Sequence, residues 1–441
     1  MTAGRRSVRW LTFGIVVAGA LAVLGLIAFW PRGDAPELAP QPNTYVDATV
    51  TGIDEQTCDD FDTGATTPCQ IVSAELTSGA RDGDVIQFQV RSTQFEVPEL
   101  HDGDDVVLLD VATSPAEFRY SWVDFQRGLP LMWLVGGFAL VVIAFGRFQG
   151  VRALVGLAAS GVVLVAFVVP ALLRDEPALP VALAGAVAIA FVALYLAHGV
   201  KIGTTVALAG TLVSLAITTG LAMLVVTVTQ LTGLADQNAQ VLRVTADAID
   251  LRGLLVAGIV VGALGVLDDV TVSQVSIVAA LRRANPGLPR RMLYREATRV
   301  GRDHVASTVN TLVLAYAGAS LPLLLFFAQG TQPVERLITG ELISVEIVRM
   351  LVGSIGVVAS VPITTALAAA VLGVGDEVHG HAHGPGPEDR DRPGRPRRIR
   401  RSRPEDRVSV GPAPPGAGQQ GAPSPWDDFA PQPDDQFWGR G

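Results

Sequence analysis

Two carboxylates stand side by side at Asp268-Asp269, and an Asp-His pair follows at Asp303-His304. Both pairs adjoin long apolar runs, and an ionisable group at membrane depth is costly enough to be a functional suspect. Adjacent carboxylates suit a hard cation, or a transported proton, because two like charges hold one proton more readily than both ionise. On a helix, Asp303, Ser307 and Asn310 fall at i, i+4 and i+7 and share one face. His304, Thr308 and Thr311 form an adjoining stripe, with His304 as a proton-sensitive member. Simpler readings stand beside these. Asp269 is an apt N-cap for an interfacial helix over 270–283. Ser307 and Asn310 can hold helices together by hydrogen bonds worth about 0.6–2 kcal/mol each. Arg302 could pair with either acidic motif and turn it into a structural ion pair.

Other residues carry weaker signals. Pro322 and Pro362 fall inside apolar runs, where each should break a helix and free a carbonyl about one turn earlier. Broken helices often line transport sites, although a tolerated kink is the commoner outcome. His379, His381 and His383 alternate in a glycine-rich stretch. Together with Asp268 and Asp269 they are the candidate metal ligands, with linker histidines as the plain alternative. Cys58 and Cys69 are the chain's two cysteines.

The elements that must position these groups are membrane spans. The chain has 441 residues, 49% hydrophobic and 17% charged, against roughly 25% charged in soluble domains. Spanning about 30 Å of hydrocarbon takes about 20 apolar residues. Eight runs qualify: 11–30, 129–146, 151–173, 178–197, 203–229, 251–267, 305–328 and 348–374. The first follows Arg5, Arg6 and Arg9 and lacks a small-x-small cleavage pattern, so 1–30 is expected to be an uncleaved anchor. With the N-terminus inside, the short inner loops carry 13 Lys or Arg and the outer ones five. That bias sets orientation and places both termini in the cytoplasm of a bacterial plasma membrane.

Residues 31–128 then lie outside. After a Pro-rich linker they alternate apolar and polar residues in four short runs. Asp82-Gly83-Asp84 and Asp102-Gly103-Asp104 mark turns between them. A small all-β domain follows, OB-like or a sandwich. Cys58 and Cys69 fall in it, on the oxidising side, and are expected to form a disulfide worth about 3 kcal/mol. Residues 378–441 hold 12 of the 28 prolines and nine Arg between Arg390 and Arg407. This stretch reads as a disordered tail whose Arg cluster meets anionic lipid headgroups or simply stops transfer.

Two stretches carry a resemblance. The first runs from Gly258 through Gly262, Gly265, Asp268 and Asp269 to Gln274. The second runs from Gly301-Arg302-Asp303-His304 through Ser307, Asn310, Tyr316 and Gly318 to Pro322. Over roughly 129–375 of the seven-helix membrane core 129–377, and more loosely over the outer domain, the chain resembles the bacterial YibE/F-like family of multi-pass membrane proteins. The resemblance implies a membrane architecture and points at these two stretches. It supplies no substrate.

The fold expected is therefore an α-helical polytopic membrane bundle of about eight helices, with a small extracytoplasmic β-domain and a disordered tail. The function expected is a secondary transporter or permease for an inorganic cation or a proton-coupled solute. Its polar site would comprise Asp268, Asp269, Asp303, His304, Ser307 and Asn310, facing the cytoplasm. One alternative is a signalling protein whose outer domain binds an envelope component. Another is an intramembrane hydrolase, made awkward by adjacent aspartates lying about 100° apart on a helix. No P-loop, nucleophile elbow or His-Glu-x-x-His motif is present, so no enzyme activity and no cofactor are expected. The bilayer is the expected partner, with self-association allowed and nucleic acid excluded by the lack of a basic aromatic surface.

Overall fold

A computed structural model describes residues 2–32, 43–59, 66–91, 99–115, 118–235, 237–245, 249–329 and 333–372. The expected tail 378–441, with His379, His381, His383 and the Arg390–Arg407 cluster, lies outside the described residues. Helix α1 (Thr2–Ala28) leads into five strands, β1 (Asn43–Asp59), β2 (Thr66–Leu76), β3 (Val85–Arg91), β4 (Asp105–Val111) and β5 (Tyr120–Phe125). All pairings are antiparallel, in the order β3-β2-β1-β4-β5, and the outer strands β3 and β5 also approach each other. Alternate residues turn inward, as a pleated strand requires. Val46, Ala48 and Val50 of β1 meet Val72, Ala74 and Leu76 of β2, Phe88 of β3 and Leu108 of β4 in one core. The expected turns form at Gly83 and Gly103, whose φ values of 86° and 91° are left-handed backbone that glycine adopts without penalty. Cys58 lies opposite Thr67 and Cys69 opposite Gln56 in the β1–β2 register. The disulfide expected between them is not established.

The rest is helical. Helix α2 (Gly128–Val163) starts two residues after β5 and continues through a π turn (Leu164–Val168) into α3 (Val169–Leu173). Then come α4 (Ala178–His198), α5 (Ile202–Val228), α6 (Gln237–Thr245), α7 (Leu251–Ala284), α8 (Arg290–Ala319), α9 (Leu321–Ala328), α10 (Val334–Thr339) and α11 (Glu341–Leu372). Among the described residues six helical stretches are long and apolar enough to cross a membrane, or seven if α8 and α9, bent by 60° at their junction, make one span.

Three expectations change. Runs 129–146 and 151–173 are joined in a helical path of 46 residues, Gly128–Leu173. At 1.5 Å per residue a straight path of that length would measure about 69 Å, over twice the hydrocarbon thickness. The path is interrupted at Arg147, where φ is +52°, and a Cβ on Gly150 would meet the carbonyl of Val142. The chain thus doubles back there rather than passing through a loop.

The run 251–267 does not stop at Asp268. Helix α7 continues unbroken to Ala284, so Asp269 caps nothing and no separate helix starts at Val270. Neither proline nor glycine occurs between 266 and 284, and Val270, Thr271, Gln274, Val275 and Val278 continue the buried face.

Pro362 does not break α11, which runs straight past it. Ser360 Oγ donates to the Val357 carbonyl at 2.7 Å and Thr365 Oγ1 to the Val361 carbonyl at 2.6 Å, on either side of the Val358 carbonyl that the ring leaves without an amide; packing against α5, α7 and α8 is what lets a membrane helix carry the proline. Pro322, in contrast, sits in the first turn of α9, just past the bend at Ser320.

Candidate functional site

The interior is built where α5, α7 and α11 meet, with α8 on one side. Gly210 of α5 abuts Thr364 of α11, and Gly356 of α11 abuts Thr218 of α5. These contacts run in opposite sequence order, so the two helices are antiparallel. Each glycine lets a backbone approach where a side chain would stand in the way. The same reasoning orients α8 against α7. Gly301 faces Gln274, and a Cβ on Gly262 would come 3.5 Å from the Tyr316 hydroxyl. Asp268, lying between Gly262 and Gln274, is therefore level with the turn of α8 that follows His304.

Asp268 is half-buried, on the flank of α7 that turns toward α5. Its Oδ1 is enclosed and has no hydrogen-bond partner. The Thr211 hydroxyl of α5 faces this carboxyl and shares a 2.8 Å hydrogen bond with the Thr271 hydroxyl. Thr271 in turn donates to the Asp268 carbonyl at 3.1 Å. One turn on, Gln274 is almost wholly buried. Its Nε2 donates to the Ala297 carbonyl of α8 and to Thr365 Oγ1 of α11, both at 2.8 Å, tying three helices together. Ser214, Ser354 and Thr364 are buried nearby, and the hydroxyl of each lacks a partner. Buried polar groups normally find partners, so a seam with several left open is unusual.

The six expected site residues divide. Asp268 and His304 turn inward. The His304 Nε2 is enclosed without a partner, although no ion pair joins it to Asp268 among the described residues. Asp269, Asp303, Ser307 and Asn310 are exposed. The stripe Asp303–Ser307–Asn310 is thus on one face, as its spacing implies, but that face points away from the seam. Arg302 is also exposed and pairs with neither motif among the described residues. No group of three or more His, Cys, Asp or Glu residues capable of holding a metal ion occurs among the described residues, and Asp268 and Asp269 look in different directions.

The seam of hydroxyls was not anticipated. One signal for it is present in the sequence: Thr204, Thr211 and Thr218 recur every seven residues on α5, which keeps them on one helix face. All three are buried. A carboxyl among hydroxyls and carbonyls, shielded from water, can take up and release a proton or ligate a dehydrated monovalent cation.

A model of the family described as YibE/F-like protein matches residues 134–373, from early α2 to the end of α11. No curated protein and no solved structure matches the chain.

Proposed function

The chain belongs to the YibE/F-like family, and on that premise we propose that it is a secondary transporter or permease for an inorganic cation or a proton-coupled solute, with Asp268 as the group that carries the proton or meets the cation. One observation carries this reading. An acidic side chain sits in the middle of a 34-residue apolar helix with an enclosed oxygen that no protein group satisfies. Leaving such a group unpaired costs about 1–3 kcal/mol, a cost that selection for stability alone would remove. His304 is a second proton-sensitive group on the neighbouring helix.

The architecture proposed with this function has eight crossings, counting Gly128–Leu173 as two and α8 with α9 as one. The arginine bias supports a bacterial plasma membrane with both termini in the cytoplasm. It puts the β-domain outside, as an OB-like barrel whose strand order and approaching edges support that description. The exposed stripe Asp303–Ser307–Asn310 is a face that a second copy would cover. No catalytic step is proposed. The divergence of Asp268 and Asp269 speaks against a shared-proton dyad.

The test is the elemental content of a deletion strain and the pH of its cytoplasm after an acid pulse. Wild type and Asp268→Asn are compared at equal membrane abundance. Wild type restores a changed element or the pH response, and Asp268→Asn does not. Full complementation by Asp268→Asn refutes the role of this carboxyl.

A second reading, a signalling stem for an envelope-binding domain, is favoured by the junction. Only Gln126 and Arg127 separate β5 from α2, and Arg127 pairs with Asp124 at 2.7 Å across it. So short a connection leaves little slack between sheet and helix. A chain lacking 44–110 that kept full activity would eliminate this reading.

A further inference from the structure

We infer that a cationic cavity at one end of the helix bundle, remote from the β-domain in sequence and distinct from the Asp268 seam, binds a phosphate-bearing anion. The cavity has a volume of about 590 Å³, within the roughly 300–1,000 Å³ of small-molecule sites. It forms where α4 ends, α5 begins, the second half of α2 passes and α7 approaches its C-terminus. Arg152, His198, Lys201 and Arg283 line it, and among the described residues no Asp or Glu does.

The arrangement is built rather than incidental. Arg152 Nε donates to the Leu196 carbonyl at 2.8 Å, which fixes the guanidinium at the end of α4. Gly199, with φ +77°, turns the chain between α4 and α5. A Cβ at that position would lie 3.2 Å from a terminal nitrogen of Arg152 and 4.0 Å from Cε of Lys201. Two cations from different helices therefore converge on one spot. Among the described residues none of Arg152, Lys201 and Arg283 takes part in an ion pair. Like charges gathered without a counter-ion repel one another, and an anion between them removes that cost.

The ligand's class follows from the donors. One arginine fork satisfies a single carboxylate. The Arg283 fork, the donors of Arg152 left over from its bonds to the Leu196 and Tyr195 carbonyls, the Lys201 ammonium and the Thr204 and Ser276 hydroxyls offer more donors than a carboxylate can accept, and they suit the tetrahedral oxygens of a phosphate group. The first turn of α5 adds to this. Lys201 is its N-cap and no side chain caps it, so its positive dipole end is left for an anion. A lipid headgroup and a soluble phosphate compound present the same oxygens, and the two arms of the experiment separate them.

The experiment uses the full chain. In one arm, protein in a neutral detergent is titrated with inorganic phosphate, with chloride at equal ionic strength as control, and binding is read by the shift in thermal unfolding. In the other, nanodiscs of phosphatidylcholine with or without phosphatidylglycerol are compared by native mass spectrometry of retained lipid. Lys201→Gln and Arg283→Gln change exposed side chains, and Arg152 is left in place because it caps α4. Saturable phosphate binding, weakened about tenfold by either change, supports the proposal with a soluble phosphate as ligand. Retention of phosphatidylglycerol by wild type but not by the double variant supports it with a headgroup. The tail arginines are the same in both proteins, so that difference isolates the cavity. Equal phosphate response and equal lipid retention in wild type and double variant overturn the proposal.

Discussion

Alanine in place of Gly210 tests how closely α5 and α11 must approach to form the seam. A Cβ there would lie 3.1 Å from both Cβ and Cγ2 of Thr364 and would overlap its hydroxyl oxygen. Carbon atoms pack best at about 3.5–4.0 Å, and Thr364 is fully buried, so it has nowhere to swing. Overpacking of this kind costs about 2–3 kcal/mol. Alanine recovers about 1 kcal/mol over glycine within a helix, leaving Gly210→Ala destabilised by about 1–2 kcal/mol. Thr364→Ala should be nearly neutral. It loses a buried methyl worth about 0.8 kcal/mol, but it also removes a hydroxyl that has no partner, itself a cost of about 1 kcal/mol or more. In the double variant the two worst contacts are gone, so its stability should return to within about 0.5 kcal/mol of wild type. Unfolding by dodecyl sulfate in mixed micelles measures all four corners of the cycle. Effects that simply add, within about 0.5 kcal/mol, would refute the close approach of these helices.

Three further outcomes follow from other parts of the fold. Cys58 and Cys69, on adjacent strands, should resist alkylation in unfolded, unreduced protein, and Cys58→Ser should cost about 3 kcal/mol; labelling of both without reductant refutes the bridge. Glu341 accepts bonds from the Thr232 and Gly233 amides at 2.7 Å each and from the Thr232 hydroxyl. It thereby pins the end of α5 to the start of α11. Glu341→Ala should cost about 1–2 kcal/mol and speed amide exchange at 232 and 233, and unchanged exchange there would count against the pin. Finally, a side-chain bond from Arg127 and the Phe125 amide hold the Asp124 carboxyl below its ordinary value, about 3.9. A depressed folded value stabilises above the unfolded one, and the contribution is lost as pH falls below about 3.9 through the folded value. A carboxyl carbon titration of the full chain should show the lowered midpoint, and Arg127→Gln should raise it; an identical midpoint in the variant contradicts the assignment.

Which features were legible in the sequence depends on how local their causes are. The turns at Gly83 and Gly103 are written in single residues, because positive φ is a local demand. Strand alternation at Val46-Ala48-Val50 and Val72-Ala74-Leu76 is nearly as local. The fate of α7 is not. A hydropathy window loses its signal at Asp268 because it scores polarity, whereas the helix continues because Asp268, Thr271 and Gln274 are received by α5, α8 and α11. The effect of Pro362 depends likewise on its surroundings, because α11 is packed against α5, α7 and α8 and neighbouring helices carry proline through a membrane helix. The spacing of Asp303, Ser307 and Asn310 correctly groups them on one face, but spacing alone cannot say whether a face turns inward. Here the packing of Gly301 on Gln274 decides it, and it turns His304 toward the interior instead.

The cationic cavity and the Asp268 seam constrain each other. Thr204 lines the cavity and Thr211 lies two turns further along the same face of α5, so a solute following that face from the cavity toward Asp268 would first meet Arg152, Lys201 and Arg283. A bare cation on this path meets three like charges. At about 8 Å and an effective dielectric near 20, each opposes it by about 2 kcal/mol, which a single carboxyl does not offset. An anionic solute meets attraction along the same path, and the proton that Asp268 releases can move with it, leaving a carboxylate that is neutral again once it takes up the next proton. Of the two cargoes proposed, the proton-coupled solute is the one this charge pattern favours. A deletion strain with unchanged metal content but an altered acid-pulse response is the result that this argument requires, and a changed metal content restored only by wild type would reverse it.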